Sequence, residues 1–301
     1  SKGKHIISSK IEHHSVLHVL SYLEKKGYEI TYLNVNSDGM INIKEFELAI
    51  RQDTVLISVM FANNEIGTIE PIAEIGEIAR KQNILFHTDA VQAMGHLEID
   101  LKELNIDLLS ASAHKFYGPK GVGFLYIRQG VKLPALIHGG AQERNKRAGT
   151  ENTFGIIAMA RALNLSYKNM EEDNLFQKKL RDKLIQLILT NIEGSVLNGD
   201  PINRLSNNIN IYFKDIKGEL LLILLNQRGV YASLGSACTT GSIDPSHVIM
   251  AVSNDKTRAF SSLRLTLSKY STEDEIFKVF EILKDVIIRL RKQRVFGTLW
   301  C

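Results

Sequence analysis

Apolar positions recur along the first half of the chain with two alternating periods. Val16, Leu17, Leu20 and Leu23 share one face of a helix predicted over 13–26, which Gly27 ends. Residues 29–35 alternate apolar and polar as a strand does, and 54–61 read as a mostly apolar strand. Pro71 opens a helix whose Ile72, Ile75, Ile78 and Ala79 fall on one face. Short buried strands are predicted over 84–88, 107–111 and 122–127. Strands separated by helices at this spacing predict a mostly parallel sheet with crossover helices, an α/β fold.

The pattern changes after about residue 155. Two long helices are predicted, over 154–170 and 175–192, then a strand over 209–213, a helix over 218–227 and a strand over 263–267. A last helix starts at a capping box, Thr272 with Glu275, and carries the stripe Ile276, Phe280, Leu283, Ile287 and Leu290. These elements predict a large domain over 1–165 and a smaller α+β domain over 166–301, with no repeat or Pro/Gly/Ser linker between them.

Composition narrows the function classes. The chain has 301 residues and is 44% hydrophobic, enough to fill a sizeable core. Lys and Arg exceed Asp and Glu by only 37 − 33 = 4, without the basic, aromatic-interleaved clusters of a nucleic-acid surface. The longest aliphatic run, Leu220 to Leu225, is far short of the roughly 20 residues of a membrane span. Two cysteines, Cys238 and Cys301, cannot build a disulfide framework or a four-thiolate zinc site, and no metal site is expected. A reducing compartment is expected: the cytoplasm, or the mitochondrial matrix in a eukaryote. The chain opens on Ser1 rather than Met, so a preceding segment is expected.

Several polar clusters follow the predicted strands, where open α/β sheets bind ligands. Ser112-Ala113-His114-Lys115 offers hydroxyl and imidazole groups for a phosphate and a lysine that burial could activate for Schiff-base chemistry; it also reads as a polar surface loop. Asp89, at the end of a strand, is either a buried acid awaiting a cation or a helix N-cap. Asn63-Asn64-Glu65-Ile66-Gly67-Thr68 makes a turn whose amides can bind a ring hydroxyl. Cys238 lies in a loop of glycines and small polar residues, where an exposed, reactive thiol and a structural cysteine are about equally expected. Arg147-Ala148-Gly149-Thr150 adds a cation and a hydroxyl at a further glycine turn. Taken together, a lysine, an acid, amides and hydroxyls suit a pyridoxal phosphate site.

The ordered set resembles the cysteine desulfurases of the NifS/IscS family, which are fold-type-I pyridoxal phosphate enzymes. It is carried by Ser9-Lys10-Ile11-Glu12-His13, Asn63-Asn64-Glu65-Ile66-Gly67, His87-Thr88-Asp89-Ala90-Val91-Gln92, Ser112-Ala113-His114-Lys115, Tyr117-Gly118-Pro119-Lys120-Gly121, His138-Gly139-Gly140, Arg147-Ala148-Gly149-Thr150-Glu151-Asn152, Leu197-Asn198-Gly199 and Gly235-Ser236-Ala237-Cys238. The resemblance implies that Lys115 binds the cofactor as an imine, that His13 stacks on its ring and that Asp89 pairs with the pyridine nitrogen. It implies that Asn64 and Gln92 contact the 3-hydroxyl side, and that Ser112 and His114 hold the phosphate. Thr150 would reach the phosphate of the other subunit of a homodimer. Arg264 would clamp the substrate carboxylate, with Asn207 assisting, although Asn208 and Asn210 lie close. His14 is expected to face solvent.

The same resemblance implies the reaction. L-cysteine is converted to L-alanine, and Cys238 keeps the sulfur as a persulfide for a sulfur-acceptor protein such as an iron–sulfur scaffold, or for tRNA thiolation. Gly235 and Gly241 would let Cys238 swing between cofactor and acceptor. The family also carries a Gly/Ala-Thr-Glu type turn for the cofactor phosphate, at a position before Ser1. A non-catalytic or split-gene scaffold derived from the family is the alternative expectation.

Overall fold

The structure, a computed structural model, describes residues 3–235 and 244–297, with side chains of the last helix as far as Lys292. Six strands form the first sheet: β1 (His5–Ser9), β2 (Glu29–Leu33), β3 (Thr54–Ser58), β4 (Leu85–Asp89), β5 (Leu108–Ser112) and β6 (Gly123–Ile127). Their order is β2-β1-β3-β4-β5-β6, parallel except for the edge strand β6, which runs antiparallel to β5. The helices α1 (His14–Glu24), α2 (Ile43–Ala49) and α3 (Ile72–Lys81) lie between successive strands.

Strand β1, in the interior of the sheet, has no alternating pattern because all five of its residues are buried. Its polar side chains are satisfied internally. The His5 ring bonds the hydroxyls of Thr54 at 2.7 Å and Thr31 at 2.8 Å, and Ser8 donates to the Ser58 carbonyl at 2.7 Å. A core of Ile7, Ile57, Phe46, Ile75, Phe86, Leu109 and their neighbours fills the space between sheet and helices.

Beyond β6, a single turn α4 (Gln142–Asn145) has left-handed backbone at Glu143, Arg144 and Asn145. One helix of 39 residues, α5 (Thr153–Asn191), then replaces the two expected over 154–170 and 175–192. The polar run 171–174 does not break it: Asn174 instead bonds the His96 carbonyl at 2.6 Å and the Ser206 hydroxyl at 2.7 Å. A second, antiparallel sheet, β7 (Ser195–Leu197), β8 (Asn208–Phe213) and β9 (Ser262–Thr266), packs with α6 (Gly218–Asn226) and α9 (Glu273–Gly297) over its own core. The Thr272–Glu275 capping box forms as expected, with bonds of 2.8 and 3.2 Å. Two short helices, α7 (His247–Ser253) and α8 (Lys256–Phe260), complete the described chain. Residues of α7 and α8 pack with Ile11, Met60 and Ile66 in a third apolar cluster.

Candidate cofactor and substrate site

The carboxyl ends of β3, β4 and β5 open into a cavity of about 620 Å³, whose far wall is the second sheet. His13, Asn64, Asp89, Gln92, Ser112, His114, Lys115, Asn207 and Arg264 all line it. Nine of the eleven residues singled out in the sequence thus converge. Thr150 is not among them and is exposed. Cys238 lies outside the described residues.

Local geometry explains how each side chain reaches the cavity. Asn63 is fully buried, its amide donating to the Ile11 carbonyl at 2.9 Å and its Oδ1 accepting from the Glu65 and Ile66 amides at 2.8 and 3.0 Å. That side-chain turn leaves Asn64 to face the cavity. His13 caps α1 through Nδ1, which accepts from the Ser15 amide at 3.2 Å. Ser112 ends β5, and Ala113–Phe116 form a 3-10 turn that carries His114 and Lys115. The turn must stay tight: a Cβ on Gly118 would come within 2.9 Å of both the Cβ and the carbonyl oxygen of Ala113.

Asp89 is 8% exposed and its Oδ1 accepts from the Val91 amide at 3.0 Å. Burial raises its pKa, opposed by the Val91 N–H and by the charge of His13. This buried acid makes no salt bridge among the described residues. A protonated pyridine nitrogen would supply a positive charge beside it. Ser112, His114 and Lys115 form the donor set suited to a phosphate and an aldehyde. The residues present therefore fit pyridoxal phosphate in charge and chemistry.

Lys115 lines the cavity and is exposed. The structure corrects one expectation. His14 does not face solvent. It is half-buried, its ring 4.6 Å from that of His247 and 5.1 Å from that of His18. Burial and the neighbouring imidazoles lower its pKa. Among the described residues no group of His, Cys, Asp and Glu is arranged to hold a metal ion.

The second sheet closes the site. Arg264, on β9, donates through Nη1 to the Asn64 carbonyl at 3.0 Å. The neighbouring asparagines divide their work. Asn207 lines the cavity, while Asn208 lines it and also donates to the Glu65 carbonyl at 3.2 Å. Asn210 is buried and supports the same carbonyl at 3.0 Å. Sequence reasoning missed His96, which lines the cavity and hydrogen-bonds the Lys115 main chain. It missed Tyr117 too, whose hydroxyl accepts from the Lys269 amide at 3.0 Å.

The family model "Aminotransferase class-V" matches residues 1–279. "Cysteine desulfurase IscS" of Methanosarcina thermophila is 54% identical over 290 residues, which is 96% of this chain and 72% of that protein. The protein of the same name from Clostridium botulinum is 52% identical over 301 residues, 99% of this chain and 75% of its own length. A solved "NIFS-LIKE PROTEIN" superposes with a TM-score of 0.88 at 37% identity, covering 95% of this chain and 76% of its own. A structure titled "SspA in complex with cysteine" has a TM-score of 0.75 at 35% identity, covering 90% of this chain and 76% of its own. The fold, the site and these relatives together place the chain in the class-V aminotransferase family, within its pyridoxal phosphate-dependent cysteine desulfurases.

Proposed function

We propose that this chain is a cysteine desulfurase that converts L-cysteine to L-alanine. The observation that carries the reading is the buried Asp89 carboxyl in one cavity with His13, Lys115 and Arg264. Pyridoxal phosphate, when bound, supplies an electron sink for the substrate's α-carbon. Asp89 would hold a proton on the ring nitrogen, and Ser112 and His114 would hold the phosphate. His13 would cover the ring face, while Asn64 and Gln92 would bond the 3-hydroxyl side. Lys115 would anchor the cofactor and move protons at the substrate carbons. Arg264 binds the substrate carboxylate with Asn207 beside it.

Cys238 is the nucleophile. Its thiolate attacks the substrate sulfur, and the carbon–sulfur bond breaks with its electrons on carbon. That carbon is protonated and alanine leaves, with the persulfide on Cys238. The cysteine-bound relative supports L-cysteine as the substrate.

The chain works as a homodimer in which Thr150 reaches the partner's phosphate site; its exposure in the single chain supports this. Persulfide sulfur passes to an acceptor protein of iron–sulfur assembly or tRNA thiolation, in the cytoplasm. Among the described residues no helix is long and apolar enough to cross a membrane. The division into a large domain over 1–165 and a small one over 166–301 is supported by the two cores, with α5 contributing to both. The test is direct: the purified chain, supplied with pyridoxal phosphate, L-cysteine and a thiol reductant that cleaves the persulfide, forms alanine and sulfide in equal amounts. Absence of alanine under those conditions overturns the reading.

A further inference from the structure

We propose that Glu65 is a positioning residue for the cysteine-bearing segment, its buried carboxyl holding Ser246, on the stretch that follows residues 236–243, close beside Gly235, on the stretch that precedes them. The inference rests on the role proposed above for Cys238.

The two flanks meet at one point. A Cβ placed on Gly235 would lie 2.9 Å from the Cβ of Ser246 and 3.2 Å from Oε2 of Glu65. The chain leaves this point at Gly235, in left-handed backbone with φ of 49°, and returns to it at Ser246. The Ser246 hydroxyl donates to Glu65 Oε2 at 2.5 Å and accepts from the Ile249 amide at 3.1 Å. One hydroxyl therefore caps α7 and fastens the returning chain to Glu65.

The main chain of Glu65 is held by three hydrogen bonds. The residue is fully buried, its amide donates to Asn63 Oδ1 at 2.8 Å, and its carbonyl accepts from Asn208 at 3.2 Å and Asn210 at 3.0 Å. Burying a carboxyl is unfavourable without partners. Here burial raises its pKa, opposed by the Ser246 hydroxyl and by the charges of Arg264, His14 and His13. A turn that only had to reverse the chain would not need an acid there. Adjacent residues of one turn thus perform separate tasks: Asn64 faces the cavity and Glu65 fixes the base from which the cysteine segment starts.

Cys238 stands three residues beyond Gly235. Fixing the flanks fixes the volume its thiol can reach. Misplacing a reacting group by an ångström costs on the order of a hundredfold in rate. The effect falls mainly on sulfur transfer, because Glu65 does not line the cavity and reaches Arg264 and His13 only through its charge.

The experiment uses the cofactor-loaded enzyme and the variants Glu65→Ala, Glu65→Gln and Ser246→Ala. It measures cofactor content, KM for L-cysteine, and the single-turnover rate of persulfide formation on Cys238 by mass spectrometry. Glu65→Ala and Ser246→Ala are expected to slow persulfide formation by about tenfold to a hundredfold. Cofactor content and KM should stay within about threefold of wild type. Glu65→Gln keeps an oxygen to accept from Ser246 and should recover the rate to within about threefold. A wild-type rate in Ser246→Ala, or in a folded Glu65→Ala, overturns the inference. So does a parallel loss of cofactor, KM and rate that Gln does not rescue. If wild type itself forms no persulfide on Cys238, the desulfurase reading fails and the inference with it; a wild-type signal unmoved in the variants fails the inference alone.

Discussion

Nη1 of Arg264 lies 3.0 Å from the carbonyl oxygen of Asn64, joining the second sheet to the turn that follows β3 across the mouth of the cavity. The bond orients the guanidinium in the cavity wall. A guanidinium binds a carboxylate through two parallel bonds, which an ammonium cannot do. Arg264→Lys should therefore raise KM for L-cysteine about tenfold, with kcat within about twofold. Steady-state kinetics decide it: a pure kcat defect with unchanged KM removes Arg264 from substrate binding.

Asp89 should matter through its charge. Its carboxyl is buried and takes one backbone N–H, from Val91, so Asp89→Asn preserves shape and removes the counter-charge of the pyridinium. Affinity for pyridoxal phosphate should fall about tenfold or more, and alanine formation should fall further. Absorbance titration of the chain with the cofactor measures the first effect, and amino-acid analysis the second.

Lys115 and Cys238 should separate two stages of the reaction. Lys115→Ala should abolish both the visible absorption of lysine-bound pyridoxal phosphate and the activity. Cys238→Ala should keep the absorption and lose sulfide release. Sulfide production at the wild-type rate in Cys238→Ala removes that residue as nucleophile.

Two further buried acids set a pH dependence of stability. Burial raises Glu12 and Glu70 from 4.5 to about 8. Each folded carboxyl holds its proton more tightly than the unfolded one. Their contribution is complete below pH 4.5 and is lost as pH rises to about 8. His87 has the opposite sign: burial lowers it from 6.5 to about 4, so its contribution is present above 6.5 and lost on acidification. Between pH 6.5 and 8 the glutamates act alone among these three groups. Glu70→Gln keeps an oxygen for the Ile41 amide, which Glu70 Oε2 now accepts at 3.0 Å. The variant should be more stable than wild type at pH 8 by about 2 °C or more in Tm, with the difference shrinking toward pH 5. Thermal melts at the two pH values test this, and a difference independent of pH contradicts the assignment.

The sequence made some features legible and hid others for identifiable reasons. The parallel sheet could be read because β3 and β4 are apolar enough to be recognised as strands. The interior strand β1 could not be, since His5, Ser8 and Ser9 look exposed until their partners on β2, β3 and at Glu12 are in place. Most cavity residues sit in short motifs directly after strands, so strand ends located them. His96 carries no such mark; only tertiary packing brings it to the cavity. Glu65 reads as part of a turn because its partner, Ser246, is 181 residues away.

Finally, α5 has a rotational phase. Met159, Ser166, Gln177, Leu184 and Ile188 are buried along it, and at about 100° per residue they lie within about 20° of one direction. Both cores thus bear on the same side of a rod about 58 Å long. One residue inserted between Ser166 and Gln177 would turn the downstream stripe by about 100° and present a polar face to the second core. Seven would restore the direction to within about 20° but move it about 10 Å along the axis. The helix therefore tolerates substitution far better than any change of length, and its residue count is as much a part of the cavity's dimensions as the side chains that line it.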